Sequence, residues 1–132
     1  MSINSGLFSS ASEHWSTPVE VYKTLDDEFH FTDDPCPLNP VSDGLNRDWG
    51  AVSFCNPPYG RKITSWVQKG YIEHLRGKTI VFLLPSRTDT RWWHDYIMKA
   101  TEIRFLKGRL RFGDSKNSAP FPSCVAVFRG KP

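Results

Sequence analysis

Apolar and polar positions along this chain fall into alternating blocks. "STPVEVYKTLDDEF" sets Val21, Leu25 and Phe29 on one face, which predicts a helix over 16–29. Pro18 suits its first position, Thr17 can cap it and Glu20 completes a capping box. "FHFTDDP" reads as a short strand ending at Asp33-Asp34-Pro35, and "CPLNPVSDGLNRDWG" as a loop. "AVSFC" is a short apolar strand of the kind buried in parallel sheets. "RKITSWVQKGYIEHLRG" carries Ile63, Trp66, Val67, Gly70 and Tyr71 at helical spacing, with Gly77 placed to end the helix. "TIVFLLP" is the most hydrophobic run. "TDTRWWHDYIMKA" predicts a helix capped by Thr88 or Asp89. "EIRFL" and "SCVAVF" are two more strands, separated by "KGRLRF" and the polar loop "GDSKNSAPFP".

Strands alternating with helices predict an α/β fold in one domain, 1–132, with a mostly parallel sheet and helices on both faces. The last two strands lack a helix between them, which suits an antiparallel hairpin at the C-terminal edge. Its connection can fold back over a site. Ligands of such sheets bind outside the carboxyl ends of the strands. Three polar corners stand there: "DDPC", "NPPY" and "LLPSRTDT". Residues 1–14 are polar and Ser-rich and are expected to be flexible.

Composition narrows the classes. A length of 132 residues allows one core, and a formal charge of +3 permits a nucleic-acid partner without demanding one. The three cysteines, Cys36, Cys55 and Cys124, form no C-x-x-C pair, so no disulfide framework or zinc site is expected. With no apolar run long enough to span a bilayer, and no leader, the chain reads as soluble and cytoplasmic. His94 and Asp95 are adjacent on a helix and point apart, so they make no triad.

The corner Asn56-Pro57-Pro58-Tyr59 carries the most specific chemistry. An Asn side chain offers an acceptor oxygen and an NH₂ donor. The two prolines stiffen the chain, and the Pro57 carbonyl can serve as a second acceptor. Tyr59 adds an aromatic face. Together they can grip an exocyclic amino group whose lone pair is delocalised, and bias it toward the tetrahedral nitrogen that attacks a methyl carbon. A Pro-Pro turn that merely ends a strand accounts for the same four residues. Arg61, Lys62, Arg87, Arg91 and Arg109 lie around the expected crevice, where they can meet phosphates or form a solvated basic face. Trp92 can stack or wedge, with one ring of the Trp92-Trp93 pair in the core.

"NPPY" after a buried strand resembles the motif of amino-group methyltransferases. The run "WSTP", "DPC", "NPPYG", "LLPSRTDTRWWHD", "RFLKGRLRF", "APFPS" and "CVAVF" resembles the phage-type DNA N-6-adenine methyltransferases in one order from 15 to 128. The resemblance implies a reduced Rossmann-like methyltransferase sheet and S-adenosyl-L-methionine as methyl donor, with no metal. It implies catalysis by Asn56, Pro57, Pro58 and Tyr59, the first two on the amino group and Tyr59 stacked on the base. It places Trp15, Thr17, Pro18, Asp34, Pro35, Cys36 and Asn56 at the cofactor. Arg61, Arg87, Arg91, Trp92 and Arg109 would meet DNA, whose target adenine is flipped out or unpaired.

The sequence departs from the wider methyltransferase pattern between Asp34 and Ser53. The interval 35–52 holds no glycine-rich turn, and a βαβ unit of about 30 residues does not fit it. Asp43 or Asp48 could take a ribose in place of the missing acidic strand. Two other readings stand beside DNA methylation: methylation of a protein glutamine, and a shortened relic that binds DNA without cofactor.

Overall fold

A computed structural model describes residues 15–37, 42–112 and 117–131, so the expectation for 1–14 lies outside it. Among the described residues three helices and four strands alternate in part: α1 (Val19–Phe29), β1 (Val52–Cys55), α2 (Ile63–Leu75), β2 (Thr79–Pro85), α3 (Arg91–Asp95), β3 (Glu102–Phe105) and β4 (Ser123–Phe128). Two 3₁₀ turns, Gly44–Asn46 and Ile97–Lys99, complete the elements.

The strands form one sheet in the order β1-β2-β4-β3. Only β1 and β2 pair in parallel; β4 runs antiparallel to both β2 and β3. The sheet is therefore mixed, not mostly parallel as the strand–helix alternation predicts. That alternation stops after α3, and the last strand inserts between β2 and β3 rather than adding outside them. The predicted strand in "FHFTDDP" shrinks to a single bridge, Asp33 to Ser53, flanked by Thr32 N–H donating to the Val52 carbonyl and Phe54 N–H to the Asp33 carbonyl.

Burial follows the pleat. β2 and β4 are central and buried along almost their whole length, while β3, at the edge, is only half-buried. Alternate residues face opposite ways. Phe54 meets Tyr22 of α1 on one face at 5.1 Å. Phe82 and Phe128 meet α2 on the other. There a Cβ on Gly70 would lie 2.2 Å from the Phe82 ring, so only glycine lets the helix approach this closely. Tyr71 contacts Phe128 at 6.0 Å. The α2 stripe Ile63, Trp66, Val67 and Gly70 is buried as its spacing predicts, and Gly77 follows with φ 99°, the left-handed turn that suits glycine.

Two helix termini differ from expectation. Pro18 occupies the cap position of α1 and no side chain caps it, because the Thr17 hydroxyl is engaged elsewhere. The predicted helix over 88–100 breaks after Asp95. Its cap is Thr90, whose hydroxyl accepts from Trp93 N–H at 3.3 Å, rather than Thr88 or Asp89. Trp92 and Trp93 are both buried, at 5% and 2% exposure, where one core ring was expected.

The topology brings five points of the chain to one edge. β1, β2 and β3 end there, as does the Asp33 bridge, and β4 begins there. The connection 106–122 thus leaves and returns beside the corners after β1 and β2.

Candidate active site

Asn56 follows β1 and is 3% exposed. Its carboxamide NH₂ donates to the Trp15 carbonyl and, at 3.1 Å, to the Thr17 hydroxyl oxygen. Its Oδ1 is buried and has no hydrogen-bond partner among the described residues. A backbone carbonyl can only accept, so the nitrogen must face Trp15 and the oxygen must face away. The carboxamide is therefore presented as an acceptor.

On one side of Asn56 lies a cleft of about 570 Å³, lined among others by Thr17, Tyr22, Asp34, Cys36 and Asn56. The sequence places these residues on three separate segments, and the parallel bridge at Asp33 brings them together. Asp34 accepts from Cys36 N–H at 3.2 Å. Burial, with the Asp33 charge next to it, pushes its carboxyl up to about 6. Burial and the Asp34 charge push the Cys36 thiol up to about 12, so it stays protonated at neutral pH. Trp15 joins the site through its carbonyl, Pro18 precedes α1 at its cap position, and Pro35 is buried and lines a neighbouring cleft instead.

Pro57 is buried beside Asn56 and Pro58 is half-buried. Tyr59 is 3% exposed, its hydroxyl donating to the Leu83 carbonyl at 3.1 Å. Burial pushes its phenol well above the ordinary range, which keeps it a neutral donor. Its ring meets Phe112 at 6.2 Å and Phe121 at 5.5 Å, both from the connection 106–122. Trp15 touches the same two rings at 5.4 and 5.5 Å. A base that stacks on Tyr59 must therefore displace part of this aromatic cap.

On the other side of the corner, Arg61, Arg87, Thr90 and Trp92 line a groove of about 370 Å³. The Arg87 guanidinium lies 5.8 Å from the centre of the Phe121 ring. Arg91 and Arg109 are exposed and lie outside this lining. Cations that pair with carboxylates are found elsewhere: Arg47, Lys69, Arg76, Lys78, Arg104 and Arg129. Among the described residues Arg61, Arg87, Arg91 and Arg109 join no ion pair.

The residues that sequence reasoning missed are those that hold the shortened segment 42–50. Asp33 receives a forked pair of hydrogen bonds from Arg47 and a third from Gly50 N–H at 2.9 Å. Trp49 donates its indole N–H to the Gly44 carbonyl and its backbone N–H to Glu73, both at 2.7 Å. Glu73 carried a sequence signal: it sits three residues after Gly70, in line with the apolar stripe of α2. Asp43, a candidate for ribose, accepts from Leu45 N–H at 3.0 Å and Asn46 Nδ2 at 2.6 Å, and lines a second cleft with Cys36, Lys62 and Trp66. Asp48 instead pairs with Arg76 at the surface. Among the described residues no group of three His, Cys, Asp or Glu could hold a metal ion, and no helix is long and apolar enough to cross a membrane.

A DNA N-6-adenine-methyltransferase of Haemophilus phage HP1 (strain HP1c1) is 25% identical over 141 residues, covering 92% of this chain and 82% of that protein. The profile of a family described as DNA N-6-adenine-methyltransferase (Dam) matches residues 4–126, and the chain belongs to that family.

Proposed function

We propose that this protein transfers a methyl group from S-adenosyl-L-methionine to the N6 amino group of adenine in DNA. The observation that carries the reading is the orphaned Asn56 Oδ1, buried with its NH₂ held by Trp15 and Thr17. An acceptor fixed in this way suits an exocyclic amino group, which has protons to donate. Pro57 would supply the second acceptor through its carbonyl. Hydrogen bonds that strengthen as the nitrogen becomes tetrahedral favour the transition state over the bound substrate.

The cleft beside Asn56 fits the methyl donor. Its volume of about 570 Å³ lies in the range of small-ligand sites, roughly 300–1,000 Å³. Asp34 lines it and joins no ion pair among the described residues, so a positively charged ligand would stabilise its charged form. Asp34, Cys36 and Asn56 would hold the donor, with Trp15, Thr17 and Pro18 behind Asn56 and Pro35 on the adjoining cleft. When bound, the donor supplies a methyl carbon on a positively charged sulfur. Asp43 would reach its ribose from the adjoining cleft.

The sheet reads as a reduced Rossmann-like methyltransferase sheet, with segment 42–50 in place of the missing units. Arg61, Arg87, Arg91 and Arg109 would contact phosphates, and the target adenine would be flipped or unpaired to reach Asn56. Trp92 would contribute from the groove wall. DNA as substrate implies work in the cytoplasm of a bacterial host.

The test is incubation with methyl-labelled S-adenosylmethionine and unmethylated DNA, followed by hydrolysis to nucleosides. Label is expected in N6-methyl-2′-deoxyadenosine. Label on cytosine, label on protein alone, or none defeats the proposal.

A further inference from the structure

We infer that Thr17 and Trp15 are positioning residues for the transfer step, acting through Asn56 rather than on the substrate. The inference rests on the function proposed above and adds what fixes the reacting geometry. An Asn carboxamide presents two donors and one acceptor, and rotation about its last bond exchanges them. Only one orientation serves an incoming amino group; the other sets N–H against N–H. Trp15 and Thr17 together occupy the donor side. The acceptor side is left without a partner.

Local structure supports the assignment. A Thr just before a helix would ordinarily cap it. Here α1 has no side-chain cap, and the Thr17 oxygen accepts from Asn56, 39 residues away. A local rule broken in this way marks a site of function. The Trp15 carbonyl is fixed from the opposite end. The indole rests edge-on against Phe112 and Phe121, the same rings that meet Tyr59. The strap Trp15–Pro18 is thus anchored by the aromatic cap at one end and by α1 at the other.

The experiment compares full-length wild type with Thr17→Val and Thr17→Ser. It measures kcat, KM for unmethylated DNA, the Kd of S-adenosylhomocysteine by calorimetry, and hydrogen exchange of the Asn56 side-chain amide by NMR. Thr17→Val should lower kcat by about tenfold or more, the scale expected when a reacting group loses its orientation. Its KM and Kd should stay within about threefold, a change too small to mark a lost anchor. Its Asn56 amide protons should exchange faster, and Thr17→Ser should restore both kcat and slow exchange. Unchanged kcat in Thr17→Val, unchanged amide exchange, or equal loss in Thr17→Ser overturns the inference. A wild type that methylates no DNA defeats the functional reading instead. The exchange comparison alone then decides whether Thr17 holds the amide: faster exchange in Thr17→Val supports it and unchanged exchange overturns it.

Discussion

Arg47 grips Asp33 with two hydrogen bonds, Nη1 to Oδ2 at 2.7 Å and Nη2 to Oδ1 at 3.0 Å. The pair locks segment 42–50 against the edge of β1, where a longer chain would have room for further strands. Burial works against the Asp33 charge, but the Arg47 hydrogen bonds and the Gly50 N–H outweigh it and hold the carboxyl below its ordinary value of 3.8. Arg47→Ala should cost about 1–2 kcal/mol, the lower part of the range for charged hydrogen bonds because Arg47 is partly exposed. The sign with pH follows from the depressed pKa. The contribution is complete above 3.8 and disappears as pH falls through the lower folded value. Urea unfolding of wild type and variant across the acid range checks it: the gap between them should close toward low pH.

Glu73 anchors the other end of the same segment. Its side chain is fully buried, yet it accepts from Trp49 N–H and Lys78 Nζ and pairs with Lys69 and Arg76. Burial disfavours its charge, but Lys78 and the Trp49 N–H prevail and hold its carboxyl below the ordinary range. Glu73→Ala removes one partner of this buried network, leaves Trp49 N–H without its acceptor and leaves Lys78 Nζ only the Trp49 carbonyl. The expected loss is about 3–5 kcal/mol, read from denaturant midpoints. Glu73→Gln should fall between variant and wild type, since an amide oxygen still serves Trp49.

Periodicity made the regular elements legible. β2 and β4 span the residues their apolar runs predict, and α2 buries its predicted stripe. The strand order was not legible, because "SCVAVF" reads equally well as an edge hairpin and as a central strand. Its complete burial decides between them and follows from insertion beside β2. The Asn56 corner announced itself through its prolines. What orients Asn56 did not, since Thr17 and Asn56 are 39 residues apart and Thr17 has an ordinary local use as a cap. Asp33 and Asp34 looked alike in sequence. The extended chain turns them to opposite sides, one to Arg47 and one to the cleft.

Asp34 should make affinity for the proposed methyl donor pH-dependent. With a carboxyl raised to about 6 by burial and by Asp33, it is largely neutral below that value and charged above it. A ligand bearing an ammonium or sulfonium favours the charged form. Affinity for S-adenosylhomocysteine or S-adenosylmethionine should therefore rise as pH increases through about 6 and level off above it. Calorimetry across that range measures the slope. Asp34→Asn should bind more weakly at neutral pH and lose the dependence.

The exposed Arg61 and Arg87, which join no ion pair among the described residues, line one groove beside the Asn56 corner. A pair that contacts phosphates releases counterions on binding. Arg61→Ala/Arg87→Ala should weaken DNA binding to a similar extent on unrelated sequences. It should also reduce the salt slope by about 0.9 for each duplex phosphate that is no longer neutralised. Affinity measured against salt on two DNA sequences tests this. A change confined to one sequence would mean that the arginines read bases.

Asn56→Asp tests the orientation of the Asn56 carboxamide more sharply than Asn56→Ala. In the aspartate variant an oxygen takes the place of the nitrogen that now donates to the Trp15 carbonyl. Two acceptors would then face one another in a buried site. Burial and this repulsion both raise the new carboxyl's pKa, so the ionised form opposes folding. The stability deficit should be small at low pH and grow as pH rises from the ordinary carboxylate value to the raised one. It should reach about 3 kcal/mol once the buried charge forms without a partner. Turnover should fall by about a hundredfold at neutral pH, the scale of removing one hydrogen bond to a transition state, and recover in part as pH is lowered. Protonation supplies the reason, since it restores a donor toward Trp15 and leaves the second oxygen free to accept. Stability and kcat are read across the same pH range. Wild-type behaviour in both would show that Trp15 exerts no hold on the amide.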